Sequence, residues 1–182
     1  MTLAEYFKKM RGTTRGSSLR VNNSEVIWSW IGGFLGISAV GWFHKIFFQG
    51  TDLTLLIGSF GASAVLVYGA VRSPLGQPRN LIGGHIVSAF IGVIAWKLLH
   101  ADPWFASAFA VATSISVMHL TRTLHPPGGA TALIAVIGSD QIHAEGFAYV
   151  LIPATLGPLI LLVVALLVNN LSSTRRYPEV WW

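Results

Sequence analysis

The sequence predicts an all-α membrane protein: six transmembrane spans as two inverted three-helix repeats, with interrupted helices near Gly61 and Gly129. Three observations predict it. Of 182 residues, 53% are hydrophobic and 10% charged, with a mean hydropathy of +0.61; soluble domains carry roughly 25% charged residues. Apolar runs near the roughly 20 residues that cross hydrocarbon recur along the chain. A short pattern then repeats 68 residues on, laying Phe60 upon Gly128.

Residues 1–24 read as a basic N-terminal segment. Lys8, Lys9, Arg11, Arg15 and Arg20, with no apolar core of a cleaved signal, hold it on the cytoplasmic side. A plastid or mitochondrial address is the competing reading, opposed by Glu5 and the segment's brevity. Leu3, Tyr6, Phe7 and Met10, at helical spacing opposite Lys8 and Lys9, predict an interfacial helix. Residues 25–170 form the transmembrane domain and 171–182 a cytoplasmic tail, whose Trp181 and Trp182 either rest on the membrane surface or are disordered.

Five spans are plain: Val26 to Phe48, Leu53 to Val71, Leu81 to Leu99, Trp104 to Thr121 and Phe147 to Val168. Between the last two, Pro126 to Gly138 has an apolar part too short to cross alone. It reads either as a re-entrant hairpin or as the helical half of a span whose other half, Arg122 to Gly129, is unwound. Charge favours a crossing. Six spans put Lys8, Lys9, Arg11, Arg15, Arg20, Arg72, Arg79, Arg122, Arg175 and Arg176 inside, leaving only Lys45 and Lys97 of the 12 basic residues outside. Five spans would translocate Arg175 and Arg176.

The repeat sets Phe60-Gly61-Ala62-Ser63-Ala64-Val65 against Gly128-Gly129-Ala130-Thr131-Ala132-Leu133, and His85 to Ile91 of the third span against Pro153 to Leu159 of the last. Halves with an odd number of spans lie in opposite orientations, the plan in which interrupted helices meet near the midplane and make a binding site. Gly84, Ser88 and Gly92, Ala106, Ala110 and Ser114, and Gly32 with Gly36 are spaced for close helix contact. That packing also predicts a homo-oligomer. Trp28, Trp30, Trp42, Trp96 and Trp104 near span ends suit an interfacial aromatic belt.

Consecutive prolines and glycines in His125-Pro126-Pro127-Gly128-Gly129 break helix at a depth where unsatisfied backbone is costly, so the break is buried in protein or lines a cavity. If Gly61 and Gly129 open helical halves, free N–H groups and positive dipole ends converge from opposite sides, an arrangement suited to a small anion. Ser59, Ser63 and Thr131 supply hydroxyls, Phe60 narrows the passage, and Ala62 and Ala130 complete the two stretches expected to bind the substrate. His85 and His125 sit in the cytoplasmic third of the membrane, where imidazole can exchange a proton or attract an anion. Gln77, Arg79 and Asn80 in the Ser73–Asn80 turn, with His119, Arg122 and Arg72, form a basic vestibule at the inner mouth; topology alone is the plainer account of the arginines.

Several classes fall away. The absence of cysteine removes disulfides, thiol catalysis and thiolate metal sites. No histidine pair has i,i+4 spacing with a carboxylate at its depth, so no metal is expected. No serine, histidine and carboxylate set points to an enzyme. A net charge of +5 in an integral membrane chain reads as topology rather than nucleic-acid binding. No cofactor is expected.

His125-Pro126-Pro127-Gly128-Gly129-Ala130-Thr131-Ala132-Leu133, with Ser59-Phe60-Gly61-Ala62-Ser63-Ala64 and Pro74-Leu75-Gly76-Gln77-Pro78-Arg79-Asn80 upstream, resembles the HPP family of integral membrane proteins, named for the His-Pro-Pro triplet. The likeness covers residues 25 to 170. It implies a small-anion permease with nitrite the leading substrate, in a bacterial inner membrane or a plastid inner envelope; the charge distribution is what puts both termini in the cytoplasm. It leaves open nitrite against nitrate or formate, and channel against proton-linked carrier through His125. An anion-binding sensor or scaffold without transport is the alternative. The family is described with fewer spans than six, and with a soluble regulatory domain in some members that this chain leaves no room for after Val168.

Overall fold

Three of the helices begin at a proline, where the missing N–H costs nothing because the first turn has no partner for it. The protein is described by a computed structural model over residues 22–51 and 53–182. The expected interfacial helix and most of the basic N-terminal segment lie outside these residues. Along the chain run α1 (Asn23–Phe47), α2 (Ser59–Gly69), α3 (Pro78–Leu99), α4 (Pro103–Leu120), α5 (Pro126–Ile137), α6 (Asp140–Glu145) and α7 (Ala148–Leu171). No strand occurs among the described residues.

Four helices, α1, α3, α4 and α7, are long and apolar enough to cross a membrane. Their bounds lie within about three residues of the expected spans. The second expected span is corrected. Leu53–Ile57 is not helical, and helix starts only at Ser59, its last five residues, Val65–Gly69, being a π-helical turn. Side chains from elsewhere serve the non-helical backbone: Thr54 N–H donates to Glu145 Oε1 at 2.5 Å and Leu55 N–H to His44 Nδ1 at 3.4 Å. At 1.5 Å per residue α2 rises about 16 Å and α5 about 18 Å, each near half of the roughly 30 Å hydrocarbon core.

Small residues decide the packing. A Cβ on Gly84 would strike His125 Cβ and lie 2.9 Å from the Thr123 carbonyl oxygen, and one on Gly92 would lie 2.7 Å from that of Ala132, so α3 and α5 meet at their backbones. Gly32 and Gly36 of α1 receive the Tyr68 ring in the same way, and Gly157 of α7 receives Phe60. Ala106, Ala110 and Ser114 turn inward on α4. Thus α3 packs against α4, α5 and α7, while α1 packs against α2 and α7. Trp30, Trp42 and Trp104 are exposed on the outer surface.

The C-terminal segment folds back onto the helices. Arg175, its side chain 2% exposed, donates to Glu25 Oε2, Ser29 Oγ, Asn169 Oδ1 and the carbonyls of Glu25 and Tyr68. Tyr177 Oη donates to Gly76 O at 2.9 Å, and Glu179 N–H to Gln77 Oε1 at 2.8 Å. Trp181 and Trp182 are exposed.

Candidate functional site

Proline shapes the site from the backbone outward. A residue before proline is pushed out of helical geometry, and His125, ahead of Pro126, takes φ −137° and ψ 106°. Its ring therefore leaves the axis of α5 and reaches the Pro74–Gly76 turn, where Nδ1 donates to Leu75 O at 2.7 Å. The chain enters this corner through a Schellman turn at the end of α4. Arg122 there has φ 57°, with Arg122 N–H on His119 O and Thr123 N–H on Met118 O. An arginine in the position that usually takes glycine bears about 1 kcal/mol of strain.

From His125 a hydrogen-bonded chain runs through the centre of the molecule. Ser63 Oγ of α2 lies 2.9 Å from His125 Nε2 and 2.8 Å from His85 Nε2 of α3. His85 Nδ1 lies 2.7 Å from Thr131 Oγ1 of α5, which is 2.9 Å from Ser59 Oγ. Tyr149 Oη of α7 closes the far end on Thr131 O at 3.0 Å. Ser63, His85, His125, Thr131 and Tyr149 are each 0% exposed, so the network is sealed from solvent. Phe60 meets the His85 ring edge-on with centroids 5.5 Å apart.

Chemistry fixes the direction of these bonds. A carbonyl can only accept, so His125 Nδ1 carries a proton and, in the neutral ring, Nε2 accepts from Ser63. Ser63 has one proton to give and therefore accepts from His85 Nε2–H. His85 Nδ1 is left to accept from Thr131, and Ser59 donates to Thr131. Every arrow points toward Leu75. Protons can hop along such a chain, but its last acceptor cannot take one, so in this conformation the chain is closed at the Leu75 end.

The residues singled out in the sequence divide into groups. Ser59, Phe60, Ser63, His85, His125 and Thr131 come together in or against the network. Pro127 and Gly128 are buried beside it; a Cβ on Gly128 would lie 2.7 Å from Ser88 Oγ. Gly61 and Ala62 point away and are exposed, Pro126 is exposed, and Gly129 and Ala130 are half-buried along an apolar groove with Val111 and Leu133. Helix α2 starts at Ser59 and α5 at Pro126, so neither Gly61 nor Gly129 is a first residue; Gly61 N–H donates to Gly58 O.

The vestibule residues serve backbone instead of framing one opening. Buried Gln77 donates to Val71 O and Ser73 O, Arg79 to Thr121 O at 2.7 Å, and Asn80 to Leu124 O at 2.8 Å. His119 and Arg122 are exposed nearby, and Arg72 lies apart beside the C-terminal segment, its Nη2 on Thr174 O. Two participants escaped the sequence reading. The Leu75 carbonyl carries no side-chain signal, whereas Tyr149 does: it is the hydroxyl-bearing residue in the first turn of α7. Tyr149 also lines a cavity of about 60 Å³ with Trp96 and His143, on the side away from His125.

Comparison with known proteins bears on all of this. The family described as HPP, transmembrane region, matches residues 18–178. A transmembrane protein of Dictyostelium discoideum is 45% identical over 181 residues, covering 98% of this chain and 58% of the relative. A second transmembrane protein of that organism is 44% identical over 186 residues, covering 100% of this chain and 65% of its own length. The chain thus spans about three-fifths of the length of these curated relatives. No solved structure matches it.

Proposed function

Because this chain belongs to the HPP transmembrane family and is an integral membrane protein, we propose that it is a permease for a small inorganic anion, nitrite foremost. The observation that carries the reading is the sealed cluster of two imidazoles and three hydroxyls where α2, α3 and α5 meet. Its members are neutral donors and acceptors with no carboxylate among them. A small anion is held by such groups without a buried counter-ion, and so is released readily. Nitrite entering the cluster would accept from Ser63, Thr131 and the His85 Nε2–H, displacing the contacts these groups now make with each other. Proton linkage runs through His125, whose ring ends the chain. The reaction class is transport, not catalysis, and the partners are the anion, lipid and further copies of this chain.

Six crossings and an inverted repeat fit this reading. The half-length helices α2 and α5 correspond at the 68-residue offset, Ser59–Gly69 falling on 127–137. Non-helical Leu53–Ile57 adds about 17 Å to the 16 Å of α2, enough to span hydrocarbon. The packing is reciprocal as well: α1 lies on α2 and α7, as α4 lies on α5 and α3. Both termini are then cytoplasmic, in a bacterial inner membrane or a plastid inner envelope. A sidedness reporter on the C-terminus tests the count, and an exterior result sinks it.

Nitrite uptake into proteoliposomes tests the function itself. Uptake falls for His125→Ala and for Thr131→Val; unchanged uptake in folded variants refutes the site. The sealed network gives the alternative, an anion sensor or scaffold, its one support. Saturable nitrite binding with no flux in the same liposomes would favour it.

A further inference from the structure

A cavity of about 530 Å³ opens where α1 begins, α2 ends and the C-terminal segment folds back, and neither buried histidine lines it. That volume falls within the roughly 300–1,000 Å³ of small-molecule sites. We infer that it binds the phosphate of an anionic ligand, with Arg72 and Arg176 as its charged walls, and that the ligand is a phospholipid headgroup.

The charge balance leads there. Two opposite charges on the cavity's lining, Glu25 and Arg175, are paired with each other at 2.9 Å. The Arg175 guanidinium is spent on that carboxylate and on four further acceptors, so it has no donor to spare. Arg72 and Arg176 also line the cavity, and both are exposed. Arg72 makes one long bond, 3.4 Å, to a carbonyl. Among the described residues no carboxylate pairs with either, leaving the cavity about two positive charges. Arginine's planar fork suits phosphate oxygens particularly well.

Two further features favour an anion at membrane-surface depth. Helix α1 opens on the cavity, its N-terminal end capped by Asn22, so a positive dipole end adds to the arginines. The helix has 25 residues and rises about 37 Å, longer than the roughly 30 Å core, which leaves its first turns at headgroup level. Trp28 and Trp30 then mark the interface just inside. Basic pockets between transmembrane helices bind anionic headgroups on this principle.

Native mass spectrometry of the detergent-purified protein with phosphatidylglycerol, and separately with phosphatidylcholine, tests the inference. Phosphatidylglycerol stays bound to the wild type and phosphatidylcholine does not. The double variant Arg72→Gln, Arg176→Gln loses the preference by about thirtyfold, a factor of about five per arginine. Both positions are exposed, and an unchanged melting temperature establishes that the variant is folded; Arg72→Lys with Arg176→Lys keeps part of the preference. Adding millimolar inorganic phosphate separates the sources. Retained lipid assigns the cavity to the headgroup, and displacement assigns it to free phosphate and overturns the lipid assignment. Equal binding of both lipids, or equal retention by the glutamine variant, overturns the site. None of these readouts involves nitrite flux.

Discussion

Replacing Ser63 by alanine removes one oxygen and strands two imidazoles. In the native network Ser63 Oγ accepts from His85 Nε2–H and donates to His125 Nε2, at 2.8 and 2.9 Å. Alanine leaves a buried donor and a buried acceptor with no partner, since both rings are 0% exposed. Each stranded group costs about 1–3 kcal/mol in soluble proteins, about 2–6 kcal/mol together. Membrane proteins fall low in such ranges, because the unfolded chain in a bilayer also finds partners. The expected loss is therefore about 2 kcal/mol. Ser59→Ala is the internal control: it removes only the donor to Thr131 Oγ1, which still donates to His85 Nδ1, so the loss stays below about 1 kcal/mol. Equilibrium unfolding of both variants in mixed micelles measures the difference. A Ser63→Ala loss no larger than that of Ser59→Ala would refute the bridging role of Ser63.

Gly61→Ala is expected to be neutral or to stabilise by up to about 1 kcal/mol, since its Cβ meets open space on an exposed helix face. Gly84→Ala, whose Cβ would strike His125, is expected to cost at least about 2 kcal/mol by the same unfolding assay. Arg175→Ala is expected to cost about 3–5 kcal/mol in thermal or denaturant unfolding, because it abandons Glu25 and two backbone carbonyls; Arg175→Lys recovers less than half. Burial pushes the Glu145 carboxyl above its ordinary 4.5, with the Thr54 N–H partly opposing it. The folded state thus holds this proton more tightly than the unfolded one. Its contribution to stability is greatest below 4.5 and declines as pH rises toward the raised value, a slope in melting temperature that Glu145→Gln should flatten. Tyr177→Phe breaks the bond to Gly76 O and is expected to speed amide exchange across the Pro74–Gly76 turn about fivefold, the equivalent of about 1 kcal/mol.

Residue type and spacing made much of the site legible. Polar side chains are costly at membrane depth, so Ser59, Ser63, His85, His125 and Thr131 stood out against apolar sequence, and all of them share one network. The glycines were harder to read. A glycine marks either a helix start or a close approach, and only the neighbour across the gap decides: Gly84 faces His125, Gly128 faces Ser88, and Gly61 faces nothing. Leu53–Ile57 escaped for a different reason. Hydropathy measures burial, not helicity, and a largely apolar stretch scores alike whether its amides bond to the next turn or to Glu145 and His44. Leu75 was invisible because it contributes only its carbonyl. Gln77, Arg79 and Asn80 look like a polar mouth in sequence, but each donates to a backbone carbonyl of a neighbouring segment.

The closed end of the chain constrains how a permease of this build would open. Contact between His125 and the Pro74–Gly76 turn is one hydrogen bond to Leu75 O, about 1 kcal/mol. The turn itself is tied to the C-terminal segment by Tyr177 on Gly76 O and Glu179 on Gln77 Oε1, and to the end of α2 by Gln77 on Val71 O. Breaking all of these at once would cost about 4 kcal/mol, an open population near one in a thousand. If the turn, the C-terminal segment and the end of α2 move as one body with α1, to which Arg175 ties them through Glu25 and Ser29, the bonds among them are kept, and the open state rises above that floor within the 0.1–10% range typical of working conformational equilibria. The bond between Arg175 and Tyr68 O welds that same body together. In the proposed permease the C-terminal segment would act as the brace that lets the turn leave His125 as a unit, and the polarised chain behind it, from Ser59 to His125, would gain an exit only then.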